Sequence, residues 1–212
     1  MPFRETIVPP PQTDMVNEAI EAENNRIAAD STDSSGVAVL ETPNKQCRFS
    51  VRAVPLPREF TRLLENSHTL LKALASKAEL TSGAQQDIDE LRERLAAAAE
   101  SEEALRARTD QILSFGPKRA GPNILVNAVP GLHVTAAWSG RDSRTRGGDE
   151  DPRADFASSV VNGFQLAALA GPICEEPMMG VAFILEEWTL REEGETGWGP
   201  VSGQIVSTVK VR

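Results

Sequence analysis

Met178 to Leu190 constrains the fold more than any other stretch of the chain. Its first half is apolar at consecutive positions and its second half alternates. That is the pattern of a long strand buried on both faces at one end and on one face at the other. Such a strand is central, so the rest of the chain must supply neighbours for its edges and cover for its faces. Cys47 to Val54 reads as another strand, with Phe49, Val51 and Ala53 alternating against Arg48, Ser50 and Arg52. Val37 to Glu41 precedes it across the turn Thr42-Pro43-Asn44-Lys45-Gln46, so the two form a hairpin, which Pro55 and Pro57 end. Phe3 to Val8 reads as a short strand stopped by three prolines, and Asn123 to Asn127 as a short apolar one.

Helical spacing appears between these strands. Arg58 to Leu80 carries Phe60, Leu63, Leu64, Leu70, Leu71 and Leu74 on one broad stripe, and Thr81-Ser82-Gly83 breaks it. Ala84 to Leu113 follows as a second helix, marked by Ile88, Leu91, Leu95, Leu105 and Ile112, with Glu90 and Arg94 paired on its outer face. The two are expected to pair as a helical hairpin over 58–113, whose plainest role is structural. Asp155 is expected to cap a helix through Val160, Phe164 and Ala168 that Gly171-Pro172 ends, and a last helix begins near Gly203-Gln204. Residues 12–36 and 138–154 read as mobile loops. The expected whole is a single α+β domain over 1–212, a two-layer sandwich with helices on one face of a small sheet.

Chemistry-bearing patterns are sparse. A formal net charge of -9 over 212 residues argues against a basic nucleic-acid coat as the main binding mode. Two cysteines, Cys47 and Cys174, give no disulfide framework or metal spacing and fit a reducing compartment. No apolar run is long enough to span a bilayer, and the N-terminus lacks the apolar core of a signal peptide, so a cytoplasmic location is expected. No Gly-x-x-x-x-Gly-Lys-Ser/Thr loop, Gly-x-Ser-x-Gly elbow or His-Glu-x-x-His helix occurs. His68 and His133 stand apart, Glu175 and Glu176 have no visible partner acid, and Cys174 is expected to pack in the interior. No isolated enzymatic activity, cofactor or metal site is expected of this chain.

Four stretches carry a resemblance: FRETI at Phe3 to Ile7, TPNKQCRFSVRAVPL at Thr42 to Leu56, SFGPKRAGPNILVN at Ser114 to Asn127, and VVNGFQLAALAGPICEEPMMGVAFILEEWTL at Val160 to Leu190. Together they resemble the fourth domain of elongation factor 2 and its relatives. The likeness runs from end to end, with the two loops and the helix pair as poorly matched insertions. Within that superfamily the chain is most similar to the elongation factor-like GTPases of large-subunit maturation, through Cys174-Glu175-Glu176-Pro177, Trp188 and the turn Trp198 to Gln204. The resemblance implies a fold of the ribosomal protein S5 second-domain type. Aligned on Gln204, Gly199 stands where elongation factor 2 carries its diphthamide histidine, which weighs against a decoding-site translocase.

What the resemblance implies of function is an arm of a longer GTPase whose GTP and Mg belong to another domain. Such a GTPase binds the 60S subunit, through rRNA and ribosomal proteins, and works with the Shwachman–Bodian–Diamond protein to release the anti-association initiation factor 6. Both chain ends read as internal to such a protein, and a monomer is expected. In this domain type the tip is built from the hairpin loop and the loop before the last helix, here Thr42–Arg48 and Glu192–Gly203. The contact residues expected there are Asn44, Lys45, Arg48, Arg52, Trp198 and Ser202. A translocase arm, and a free-standing scaffold binding through the helical hairpin, stand as alternatives.

Overall fold

The computed structural model describes residues 3–8, 32–33, 37–76, 81–138, 151–191 and 201–210. Strand β6 (Val181–Leu190) lies inside the sheet, as its sequence pattern requires. On one side it pairs antiparallel with β3 (Cys47–Pro55), which pairs antiparallel with β2 (Val37–Glu41) and so forms the expected hairpin. On the other side it pairs parallel with β5 (Asn123–Asn127), and β4 (Ile112–Gly116) closes that edge. A two-residue β1 (Thr32–Asp33) lies beyond β2, giving the order β1-β2-β3-β6-β5-β4. The parallel pair β5–β6 is joined through helix α4 (Pro152–Leu169), the crossover that parallel neighbours need.

Helices cover both faces of this sheet. On one face α1 (Arg58–Asn66), α2 (His68–Ala75) and α3 (Ser82–Ala99) bury Phe60, Leu64, Leu71 and Leu95 in one core cluster with Ile124, Val126, Ala182 and Ile184. On the other, α4 and α5 (Val201–Val209) bury Phe164 and Ile205 with Leu125, Leu185, Phe49 and Trp188. The expected two layers are therefore three. The reason is in Asn123–Val126 of β5 and Val181–Leu185 of β6, where every successive residue is buried or half-buried because odd and even side chains enter different cores.

A bulge preserves the second core. Opposite Ser50 and Val51 of β3, the register skips Glu186. The extra residue lets Leu185 and Trp188, three apart, face the same side, where Trp188 packs against Phe49 at 5.4 Å between ring centroids. Glu186 itself meets Arg52 at 2.6 Å. Burial pushes the Cys47 thiol up, so it serves this core as an apolar residue and not as a nucleophile.

Several boundaries differ from the sequence expectation. The first helix divides at Ser67, whose φ is -97° and ψ 14°. The second ends at Ala99, and Ile112 and Leu113 belong to edge strand β4. Asp151, not Asp155, caps α4 by accepting from the Arg153 N–H at 2.9 Å, so residues 151–154 belong to the helix and its cap and not to a loop. In the expected loop over 12–36, Thr32 and Asp33 pair with Ala38 and Val37. The remainder of that loop, and 139–150 of the other, lie outside the described residues. Trp138 packs edge-on against Phe115 and donates its indole N–H to the Thr109 carbonyl at 2.8 Å.

The motifs that carried the resemblance turn out to be one linked scaffold. Glu5 forms a parallel bridge with Met178, and its carboxylate accepts N–H groups from Ile173 and Cys174 at 2.9 Å and from Glu176 at 3.0 Å. FRETI and GPICEEP are therefore two halves of one junction, and Gly171 is glycine because a Cβ would meet the Glu5 carboxylate at 2.6 Å. In the GFQ triplet, Gln165 donates to the Phe115 carbonyl at 2.7 Å and accepts from the Arg119 N–H at 2.8 Å. Asn123 donates to the Gly116 and Met178 carbonyls and accepts from the Val181 N–H. Cys174 is exposed in this junction, not buried as expected.

The amide cradle, led by the Ile173 N–H, holds the Glu5 carboxyl below its ordinary value. A lowered carboxyl pKa contributes stability that is complete above the unfolded value and is lost as pH falls through the folded value. Docking of the N-terminal arm should therefore be constant at neutral pH and weaken below about pH 4. Glu5→Ala should remove that pH dependence and speed hydrogen exchange at the amides of Ile173, Cys174 and Glu176. Unchanged exchange would mean that the arm is held by its backbone pairing alone.

Candidate interaction site

The hairpin turn is built by side chains that fold back on it. Thr42, 1% exposed, accepts the Cys47 N–H on its hydroxyl at 3.0 Å and donates to Asn44 Oδ1 at 2.7 Å. Asn44 Oδ1 also accepts the Gln46 N–H at 3.2 Å, and its amide donates to Gln46 Oε1. Lys45 takes a left-handed conformation with φ 57°, its N–H donating to the Thr42 carbonyl at 2.7 Å. The turn thus spends its small polar groups internally and presents Lys45 outward.

Helix α5 meets this turn. The Asn44 N–H donates to Gln204 Oε1 at 3.2 Å, while Val201 and Ile205 of α5 are buried beneath it with Cys47 and Phe49. The Arg191 N–H, just past β6, donates to the Gln46 carbonyl at 2.8 Å. The structure therefore brings together the hairpin loop and the start of the last helix. Ser202 is exposed in the first turn of α5. Trp198 lies outside the described residues.

The predicted basic residues differ in what surrounds them. Lys45 and Arg48 are exposed and make no ion pair among the described residues. Arg52 is two residues further from the tip and is paired with Glu186, which raises its pKa. Its charge is offset by that carboxylate. Arg191 was missed by sequence reasoning. It lies at the tip end of β6, 3.7 Å from Glu41 across the sheet edge. Its only signal in the sequence was a cation directly after a long strand. The helical pair, by contrast, buries its apolar stripe against the sheet and carries the Glu90–Arg94 ion pair on its outer face.

Comparison with known proteins fits this geometry to a family. Residues 52–128 match the family described as the Elongation factor-like GTPase 1-like domain. Elongation factor-like GTPase 1 of Mus musculus is 39% identical over 226 residues, covering 93% of this chain. The human protein of that name is 38% identical over 225 residues, again 93% of the chain. The chain belongs to the elongation factor-like GTPase 1 family. It spans 19% of the length of these two relatives. Ribosome assembly protein 1 of Schizosaccharomyces pombe is 34% identical over 114 residues, half of this chain and 10% of its own length.

The family match covers α1–α3 together with β4 and β5. The matched range thus holds the helices expected as an insertion together with parts of two stretches that carried the resemblance, Arg52 to Leu56 and Ser114 to Asn127. Its buried leucines explain why it behaves as core and not as decoration. Among the described residues no helix is long and apolar enough to cross a membrane, and no cluster of His, Cys, Asp and Glu could hold a metal ion.

Proposed function

We propose that this chain is a non-catalytic, partner-contacting arm, the fourth-domain equivalent of elongation factor 2, within a GTPase of 60S subunit maturation. Family membership supports it, and so does the chain's 19% share of relatives named as GTPases. A relative named as a ribosome assembly protein supports the setting. The observation that supports this contact is the meeting of the hairpin turn with α5 through Asn44 and Gln204, beside Lys45 and Arg48, which are exposed and make no ion pair among the described residues. Two exposed cations on a rigid turn in an acidic chain suit rRNA phosphate or an acidic protein surface. On this reading the fold is a ribosomal protein S5 second-domain type with an added helical layer, and GTP and Mg are handled elsewhere in the longer protein. The arm works in the cytoplasm as part of a monomer. It acts with the Shwachman–Bodian–Diamond protein in release of initiation factor 6 from pre-60S subunits.

The double substitution Lys45→Ala, Arg48→Ala tests it. Crosslinking of the chain to large ribosomal subunits, with and without those two factors, should fall about tenfold, the loss of two surface charge contacts. The melting temperature should move by no more than about 2 °C, since both side chains are exposed. Crosslinking no different from that of an elongation factor 2 fourth domain, or unaltered by the substitutions, would refute the placement.

A further inference from the structure

Beyond the outer edge of β4 lies a cavity of about 310 Å³, unrelated to the hairpin turn. Leu74 of α2 and Ala157 and Val161 of α4 form its walls, Phe115 its floor. The helices come from opposite faces of the sheet, so the cavity is a gap between the two cores at the sheet margin. Arg119 lines it, held in place by its backbone: φ is 59° and its N–H donates to Gln165 at 2.8 Å. The guanidinium has only a 3.4 Å contact with Asn162 and makes no ion pair among the described residues. His133 is the other titratable group of the lining, and it also faces Asp151. Among the described residues the lining includes no aspartate or glutamate.

We propose that this cavity binds a single carboxylate carried on an apolar body. The apolar walls would take the body, and the Arg119 guanidinium would donate two N–H groups to the carboxylate in the two-pronged geometry that arginine favours. The volume matches the small end of ligand pockets, room for about ten non-hydrogen atoms. Two sources share this chemistry: a free aliphatic acid, and an acidic residue beside an apolar one in a peptide.

Calorimetric titration of the whole chain with octanoate, with octanol, and with the acetylated, amidated dipeptide Leu-Glu separates them. At least one of the two acids should bind with a dissociation constant below about 1 mM, and octanol about tenfold more weakly than octanoate. Binding of octanoate alone points to a free acid, and binding of the dipeptide alone to a peptide. Arg119→Asn, chosen because asparagine tolerates the left-handed backbone, should weaken the acid about tenfold or more. Arg119→Lys keeps the charge but loses the two-pronged geometry, so its affinity should fall between those of the parent and Arg119→Asn, and Ala157→Phe should fill the space and abolish binding. Failure of both acids to bind at about 5 mM would overturn the proposal. So would binding that ignores Arg119→Asn and Ala157→Phe.

Discussion

Replacing Asn123 by alanine should destabilise the protein by about 4 kcal/mol, a fall in melting temperature of roughly 10 °C for a domain of this size. The side chain is 0% exposed and ties three segments together. Its amide donates to the Gly116 carbonyl at 3.0 Å and the Met178 carbonyl at 2.7 Å, and its oxygen accepts the Val181 N–H at 3.0 Å. Alanine would leave one amide and two carbonyls without this partner at the point where β4, β5 and β6 begin or end. The cost is the desolvation of those groups and not the modest net value of each bond. Asn123→Asp separates this account from simple packing. Aspartate keeps the size and the acceptor for Val181, but sets an oxygen against two carbonyl oxygens. It should be at least as damaging as alanine. A mild aspartate variant, or an alanine variant within about 1 kcal/mol of the parent, would show that the bonds matter less than the volume.

That junction also marks how far the sequence could be read. The central strand, the hairpin with its inward Phe49 and outward Arg48, and the Val160, Phe164, Ala168 stripe all follow from spacing, because burial on one face imposes a period. Edge strand β4 did not. Leu105 and Ile112 continue a helical spacing from Ile88, Leu91 and Leu95, and a five-residue strand is too short to show a period of its own. In the structure Leu105 reaches the core from a turn, next to Ala107 at φ 58°. The third layer left a signal that could have been weighed. Ile124, Leu125 and Val126 are apolar in succession, which a sheet covered on one side does not need. At the tip, the location of the turn was legible from Pro43 and Asn44. Its contact with Gln204 was not, because it joins residues 160 apart through a side chain with no pattern around it. The neutralisation of Arg52 depends on the bulge at Glu186, a register detail that spacing alone does not reveal.

Substituting Gly163 couples the scaffold to the tip. A Cβ at this position of α4 would lie 2.6 Å from Val209 Cβ and 3.1 Å from the Val206 carbonyl oxygen, both on α5. In a helix exposed to solvent, alanine for glycine would gain up to about 1 kcal/mol of helix propensity. Here the overlap should reverse the sign, and Gly163→Ala should destabilise by about 1–3 kcal/mol. The strain falls on α5, the shorter helix, whose Val201 and Ile205 fill the core below the hairpin turn. Val209→Gly removes the side-chain part of the clash, the Cβ at 2.6 Å and the Cγ1 at 2.9 Å, so the double variant should be more stable than the sum of the two singles predicts, by about 1 kcal/mol or more. The Val206 carbonyl remains, so rescue should be partial. If α5 positions the tip through Gln204 and Asn44, Gly163→Ala should also lower crosslinking to the large subunit, and Val209→Gly should restore part of it. Additive stabilities would place the glycine's role outside this helix contact. Restored stability with crosslinking unchanged throughout would separate α5 from partner binding and leave the hairpin turn as the whole of the contact.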